Sequence, residues 1–131
     1  MRIAVDTNVL VYAAGLDHEA GKRERAASIL TAIPAENLVV PTQVVGEFYN
    51  VLIRKGGLPR GLAQAAALGL GETAEVAAHE PATMAQAISI AAAHELQIWD
   101  ALILAIAAAE GCDLLLSEDM QHGSRYLGVE W

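Results

Sequence analysis

Apolar positions fall into short runs that alternate with longer stretches of helical period. Ile3 to Val5 is a brief apolar run that stops at Asp6-Thr7-Asn8, residues that favour turns and helix caps, and Val9 to Ala14 then opens a helix. Lys22 to Ile33 places Ala26, Ile29, Leu30 and Ile33 at helical spacing and ends at Pro34. Asn37 to Val40 reads as a second strand. Pro41-Thr42 starts a helix with Val44, Phe48, Val51 and Leu52 on one face, closed at Gly56-Gly57. Pro59 to about Leu70 predicts a further helix, with Gly69 and Gly71 marking its end. Glu75 to Ala78 is a weak third strand, and Pro81 to about Glu95 a proline-initiated helix with Met84, Ala87, Ile88 and Ala91 facing inward. Trp99 and Asp100 introduce Ala101 to Glu110, stopped by Gly111. That segment is apolar all round, which predicts a helix buried between other elements. Cys112 to Leu116 reads as a buried strand ending at Ser117-Glu118-Asp119, and Gly128 to Trp131 as a last edge strand.

Strands alternating with helices predict an α/β fold, a mostly parallel sheet covered on both faces, with ligands outside the carboxyl ends of the strands. The 131 residues suit one domain, 1–131, and 54% hydrophobic content excludes an intrinsically disordered chain. The longest apolar run, Ala101 to Ala109, falls far short of the roughly 20 residues of a membrane span. Asp6 and Asn8 interrupt the apolar stretch that a signal peptide would need, so a cytoplasmic protein is expected. The single cysteine, Cys112, excludes an internal disulfide and reads as a small buried hydrophobe.

A net charge of −8 argues against generic polycation binding to nucleic acid. The distribution qualifies this: residues 1 to 60 hold seven of the eight bases against six acids, and residues 61 to 131 hold Arg125 against ten acids. Lys22, Arg23 and Arg25 form one basic cluster, and Arg54, Lys55 and Arg60 another, so a local positive rim on an acidic body is expected.

Asp6 follows the first strand and Asp119 the Leu114-Leu115-Leu116 strand, and right-handed parallel connections bring both to one sheet edge. Glu47 interrupts the apolar stripe of its helix, where an unpaired charge would cost several kcal/mol, roughly. Asp100 precedes the most apolar helix in the chain. Each has an ordinary alternative: Asp6 and Asp100 as helix caps, Asp119 as a turn residue, and Glu47 as one end of an ion pair with Arg54. Taken jointly, four acids at element ends with no adjacent base describe an anionic hole, stable when a divalent cation fills it. Hard oxygen ligands without His or Cys suit Mg²⁺ or Mn²⁺ better than Zn²⁺ and point to phosphoryl chemistry. Thr7, Asn8 and Ser117 supply neutral groups able to orient those acids or to cap helices. His18, His79, His94 and His122 lack metal-ligand spacing; only His122, in the Asp119 loop, is placed to touch a phosphate. Trp99 and Tyr12 are suited to stack on unpaired bases, although core packing is the expectation for both.

Val5-Asp6-Thr7-Asn8, Glu47-Phe48, Trp99-Asp100-Ala101-Leu102-Ile103 and Leu116-Ser117-Glu118-Asp119-Met120-Gln121-His122-Gly123, in this order and spacing, resemble the PIN domain, and within it the small VapC-type ribonuclease toxins of prokaryotic toxin–antitoxin pairs. The resemblance implies a five-stranded parallel α/β/α sandwich, Mg²⁺- or Mn²⁺-dependent endoribonuclease activity on RNA, a homodimer, and a cognate VapB-like antitoxin as partner. Carried over by motif, Asp6, Glu47, Asp100 and Asp119 are the acidic quartet, with Asp6, Asp100 and Asp119 as metal ligands and Thr7, Asn8 and Ser117 in support; Glu118 is not carried over. The competing reading is a catalytically silent protein-binding module on the same fold. A phosphoacceptor receiver domain is disfavoured, because Asp6 stands alone after its strand and the only lysines are Lys22 and Lys55. A flap-type DNA nuclease shares the acidic logic, but the chain has no room for extra DNA-clamping elements.

Overall fold

The computed structural model describes residues 1–15, 20–117, 125–126 and 129–130, and the side chains of 1–15, 23–117 and 129. In chain order the elements are β1 (Ile3–Val5), α1 (Thr7–Ala13), α2 (Ala20–Ala32), a 3₁₀ turn (Ala35–Asn37), β2 (Leu38–Pro41), α3 (Thr42–Arg54), α4 (Arg60–Thr73), β3 (Glu75–Ala77), α5 (Pro81–His94), α6 (Ile98–Ala109), β4 (Leu114–Leu116), β5 (Arg125–Tyr126) and β6 (Val129–Glu130). The sheet order is β3-β2-β1-β4-β6-β5. Its body is the parallel set β3-β2-β1-β4, with Ile3 opposite both Leu38 and Leu114. The chain therefore grows outward from β1 to β3, then returns past β1 to lay down β4. That reversal puts a topological switch point between β1 and β4, where parallel sheets open a crevice at their carboxyl ends.

The α/β class read from the alternation holds, with α1 packed on α2 and α3, α3 on α4, and α5 on α6, giving a helical layer on each side of the sheet. The expected strand count does not hold at one end. Val129–Glu130 is not the edge: it pairs parallel to β4 at Leu114, and β5 lies outside it, antiparallel. Two-residue strands carry too few alternating positions to register as a period.

Residues 101–107 of α6 are all buried, as its all-round apolar pattern predicts, and Leu104 is fully enclosed. On α3, Val44, Phe48 and Leu52 form the buried stripe. Cys112 is buried, as expected. Three helices depart from their sequence reading. On α5 Met84, Ala87 and Ala91 face the core as predicted, but Ile90 is the buried isoleucine and Ile88, one helical step round from Ala87, is 56% exposed. Ile29 of α2 is likewise exposed rather than inward. Helix α4 runs through Gly69 and Gly71 to Thr73, because Ala63 and Ala67 bury one side of it and packing on α3 outweighs about 1 kcal/mol of helix propensity per glycine.

Helix α5 ends at Glu95, a non-glycine residue in the left-handed region with φ 55° and ψ 38°. A Cβ in that conformation costs about 1–2 kcal/mol, partly offset by the greater backbone entropy a glycine loses on folding. Glu95→Gly is therefore expected to raise unfolding free energy by about 0.5–1 kcal/mol, read as a higher urea midpoint at unchanged slope.

At the amino end of the sheet, Arg2 ties three elements together. Its guanidinium donates to the Glu75 carboxylate at 3.0 Å, to the Glu110 carbonyl at 2.8 Å and to the Glu110 carboxylate at 3.5 Å. The bond to Glu75 holds the guanidinium pKa above its ordinary value. Nearby, burial pushes the Cys112 thiol up to about 11, against 9.0 for a free thiol. An unfolded thiol thus ionises before the folded one, so the contribution of Cys112 is fully present below pH 9.0 and is lost as pH rises toward 11. Cys112→Ala is expected to unfold with a shallower loss of stability than the parent between pH 9 and 11, a difference read from paired urea titrations.

Candidate active site

Two strand ends and three helices, α1, α3 and α6, converge at the switch point. β1 stops at Asp6, whose backbone N–H still donates to the Leu116 carbonyl at 3.0 Å, so β1 and β4 remain paired one residue beyond the strand. Asp6 is 5% exposed. Its Oδ1 accepts from the Thr7 backbone N–H at 2.6 Å and caps α1, while its Oδ2 accepts from the Ser117 hydroxyl at 3.0 Å. The capping role and the site role therefore coexist in one side chain, each using a different oxygen. Two neutral donors thus orient the Asp6 carboxylate.

Glu47 sits beside the buried stripe of α3 and is half-buried. Its Oε2 accepts from the Thr7 hydroxyl at 2.6 Å and its Oε1 from the Gln43 side-chain amide at 2.7 Å. Neutral donors thus support this charge, and the alternative ion pair with Arg54 is not what holds it. Thr7 is buried and links the two acids: its backbone N–H serves Asp6 and its hydroxyl serves Glu47. Gln43 was not anticipated from the sequence. The signal was an amide one helical turn before a glutamate, a pairing that stabilises helices at i,i+4 spacing. The Gln43 Oε1 is buried with no hydrogen-bond partner among the described residues.

Asp100 lies inside the first turn of α6, which begins at Ile98 rather than at Ala101. A carboxylate there faces the partial positive charge of the helix start. Asp6, Thr7, Asn8, Glu47 and Asp100 line one cleft of about 330 Å³, together with Asn50, Val51, Gln97, Trp99 and Ile103. Trp99 is 55% exposed, against the core packing expected of it. Its exposure follows from the earlier helix start: Ile98 turns inward to the core, and Trp99, about 100° further round, faces the cleft. Ser117 and Arg25 border an adjoining apolar pocket with Tyr12 and Ile29. Asp119, Glu118, His18 and His122 lie outside the described residues, as does the side chain of Lys22.

Among the described residues no three of His, Cys, Asp and Glu side chains cluster closely enough to form a metal site by themselves. The donors lining the cleft are carboxylates, amides and hydroxyls, without imidazole or thiolate. That set fits Mg²⁺ or Mn²⁺, which take one or two carboxylates and keep several waters. Arg54, Lys55 and Arg60, at the far end of α3 and the start of α4, are exposed and make no ion pair among the described residues. None of the described helices is long and apolar enough to cross a membrane.

Two solved structures share this architecture. A toxin-antitoxin complex from Klebsiella pneumoniae aligns with a TM-score of 0.74 at 18% identity, covering 97% of this chain and 94% of that one. The crystal structure of Mycobacterium tuberculosis VapC20, a Sarcin-Ricin loop cleaving toxin, aligns with a TM-score of 0.73 at 22% identity, covering 89% of each chain. At these identities the likeness is one of fold. No curated protein matches the sequence. The model of the PIN domain matches residues 3–124, a span that runs from β1 through the whole cleft and includes all four acids. With that match over nearly its full length, the chain belongs to the PIN domain family.

Proposed function

We propose that this protein is a Mg²⁺- or Mn²⁺-dependent endoribonuclease of the VapC type, the toxin of a toxin–antitoxin pair. The observation that carries the reading is the convergence of Asp6, Glu47 and Asp100 on one cleft at the carboxyl edge of the sheet. In this reading Asp6, Asp100 and Asp119 hold the cation, directly or through water. Glu47, fixed by Thr7 and Gln43, completes the site from α3. When bound, the ion neutralises charge on the phosphate and acidifies the attacking water. Ser117 and Thr7 keep the carboxylates in place, which lowers the cost of ordering them as the substrate arrives. The cations Arg54, Lys55 and Arg60 offer phosphates a positive rim on an otherwise acidic chain.

Cleavage of end-labelled RNA by the purified protein tests this reading. Fragments are expected with Mg²⁺ or Mn²⁺ and none after chelation, and sequencing the new 5′ ends in cells after induction then identifies the target. Undiminished cleavage in a chelator contradicts the metal requirement, and no cleavage of any cellular RNA contradicts the activity. The partners follow the same reading: a second copy of the chain, and an antitoxin of the kind found in the Klebsiella pneumoniae complex. The product of an adjacent reading frame should co-purify with the chain, and light scattering at micromolar concentration should give a dimer mass.

A further inference from the structure

Among the described aromatic side chains, Phe48 is buried, Tyr12 and Tyr49 are half-buried, and Trp99 alone is more than half exposed, at 55%. An exposed indole gives up the burial that usually justifies so large an apolar side chain. Leu96 and Ile98, on either side in sequence, both pack against the core, so the exposure belongs to this one position. The ring lines the same cleft as Asp6, Glu47 and Asp100, next in sequence to Asp100. The cleft thus presents carboxylates, which repel a phosphodiester, beside a large uncharged face. A polyanion entering it gains from contacts that are not ionic, and base stacking on an aromatic face is one, open to every base. Bases inside a duplex are already stacked and paired, so only an unpaired nucleotide can use the ring. The Asn50 and Gln97 amides on the same cleft offer donors and acceptors to the edge of such a base.

We propose that Trp99 is the base platform of this site: an unpaired nucleotide flanking the cut phosphate stacks on its indole, making Trp99 a substrate-positioning residue. The inference rests on the ribonuclease reading for its purpose and on the exposed ring in the cleft for its geometry. Stacking is made equally in the ground and transition states, so its loss appears in KM rather than kcat.

Trp131→Phe leaves Trp99 as the only tryptophan of the chain. In that background with Asp6→Asn to prevent cleavage, a mixed-sequence single-stranded RNA 12-mer should quench the Trp99 fluorescence saturably, and the same 12-mer annealed to its complement should not. In the otherwise native chain, Trp99→Ala should raise KM for the single strand roughly tenfold to a hundredfold with kcat little changed, and Trp99→Phe should recover most of the loss. An abasic site beside the cut should reproduce the Trp99→Ala defect without adding to it. A protein that cleaves RNA with an unquenched Trp99, and with the same KM after Trp99→Ala, overturns the platform and leaves the ribonuclease reading standing. A protein that cleaves no RNA yet shows quenching by the single strand overturns the ribonuclease reading and keeps the platform. If the single strand leaves Trp99 unquenched, and Trp99→Ala leaves KM unaltered but releases the co-purifying protein partner, the ring belongs to a protein interface and the platform is overturned.

Discussion

Asp6→Asn and Asp100→Asn are each expected to lower metal-dependent RNA cleavage by about 10³-fold or more, with native circular dichroism. Both changes conserve volume and remove only charge. At position 6 the amide keeps the structural contacts: its oxygen still accepts from the Thr7 N–H, as asparagine is among the best helix N-caps, and its NH₂ can donate to the Ser117 hydroxyl oxygen. What is lost is the charge that the proposed cation site needs. At position 100 the helix loses a favourable charge in its first turn, about 0.3–1 kcal/mol, too little to unfold a domain of this size. Cleavage at the parental rate in either variant would reduce that aspartate to its capping or dipole role. Asp119→Asn is expected to match them, and it tests the fourth acid, which rests on its place after the Leu114–Leu116 strand and on the family resemblance.

Leu104→Ala should produce the largest loss of stability. Leu104 is fully buried in α6, between α5 and the sheet, where seven successive residues are out of solvent. Truncating it removes apolar contacts on several sides and leaves a cavity that a two-sided packing environment cannot close, at a cost of about 2–5 kcal/mol. Against a typical total of about 5–15 kcal/mol, this is a substantial fraction of the fold's stability, read as a lower urea midpoint. Ile88→Ala is the matched control: its side chain is 56% exposed on the outer side of α5, and the expected change is below about 1 kcal/mol. Comparable losses from the two would contradict the placement of α6 at the centre of the core.

The strands and helices that organise the site were legible because their signals are local. Asp6-Thr7-Asn8 combines a strand end with cap chemistry, and the Ala101–Ala109 run has no polar face to expose. The position of Asp100 was less legible. A helix from Ala101 and one from Ile98 differ by one turn, and Ile98-Trp99 carries no cap residue to decide between them, since Gln97 makes no side-chain capping bond. That one-turn difference took Trp99 from the core to the cleft. The support of Glu47 is half legible: Thr7 reads as an orienting group and Gln43 lies one turn before Glu47 on the same helix, but the choice of Thr7 over Arg54 depends on how α1 packs on α3, a tertiary fact with no sequence period. On α5, alanines dilute the contrast between faces, and Ile88 and Ile90 cannot be told apart by hydrophobicity.

The central claim is that the acids of this cleft hold a divalent cation, and thermal melting with added Mn²⁺ tests it without any substrate. An ion that binds only the folded protein adds RT ln(1 + [L]/Kd), about 2.7 kcal/mol at a hundredfold excess over Kd. For a domain of this length that corresponds to a Tm increase of roughly 10 °C. The parent protein should show the increase, and Asp6→Asn, with its cap intact and one ligand charge removed, should show little of it. Equal shifts in the two proteins would place the ion elsewhere, and no shift in either at saturating Mn²⁺ would contradict a cation site in the cleft.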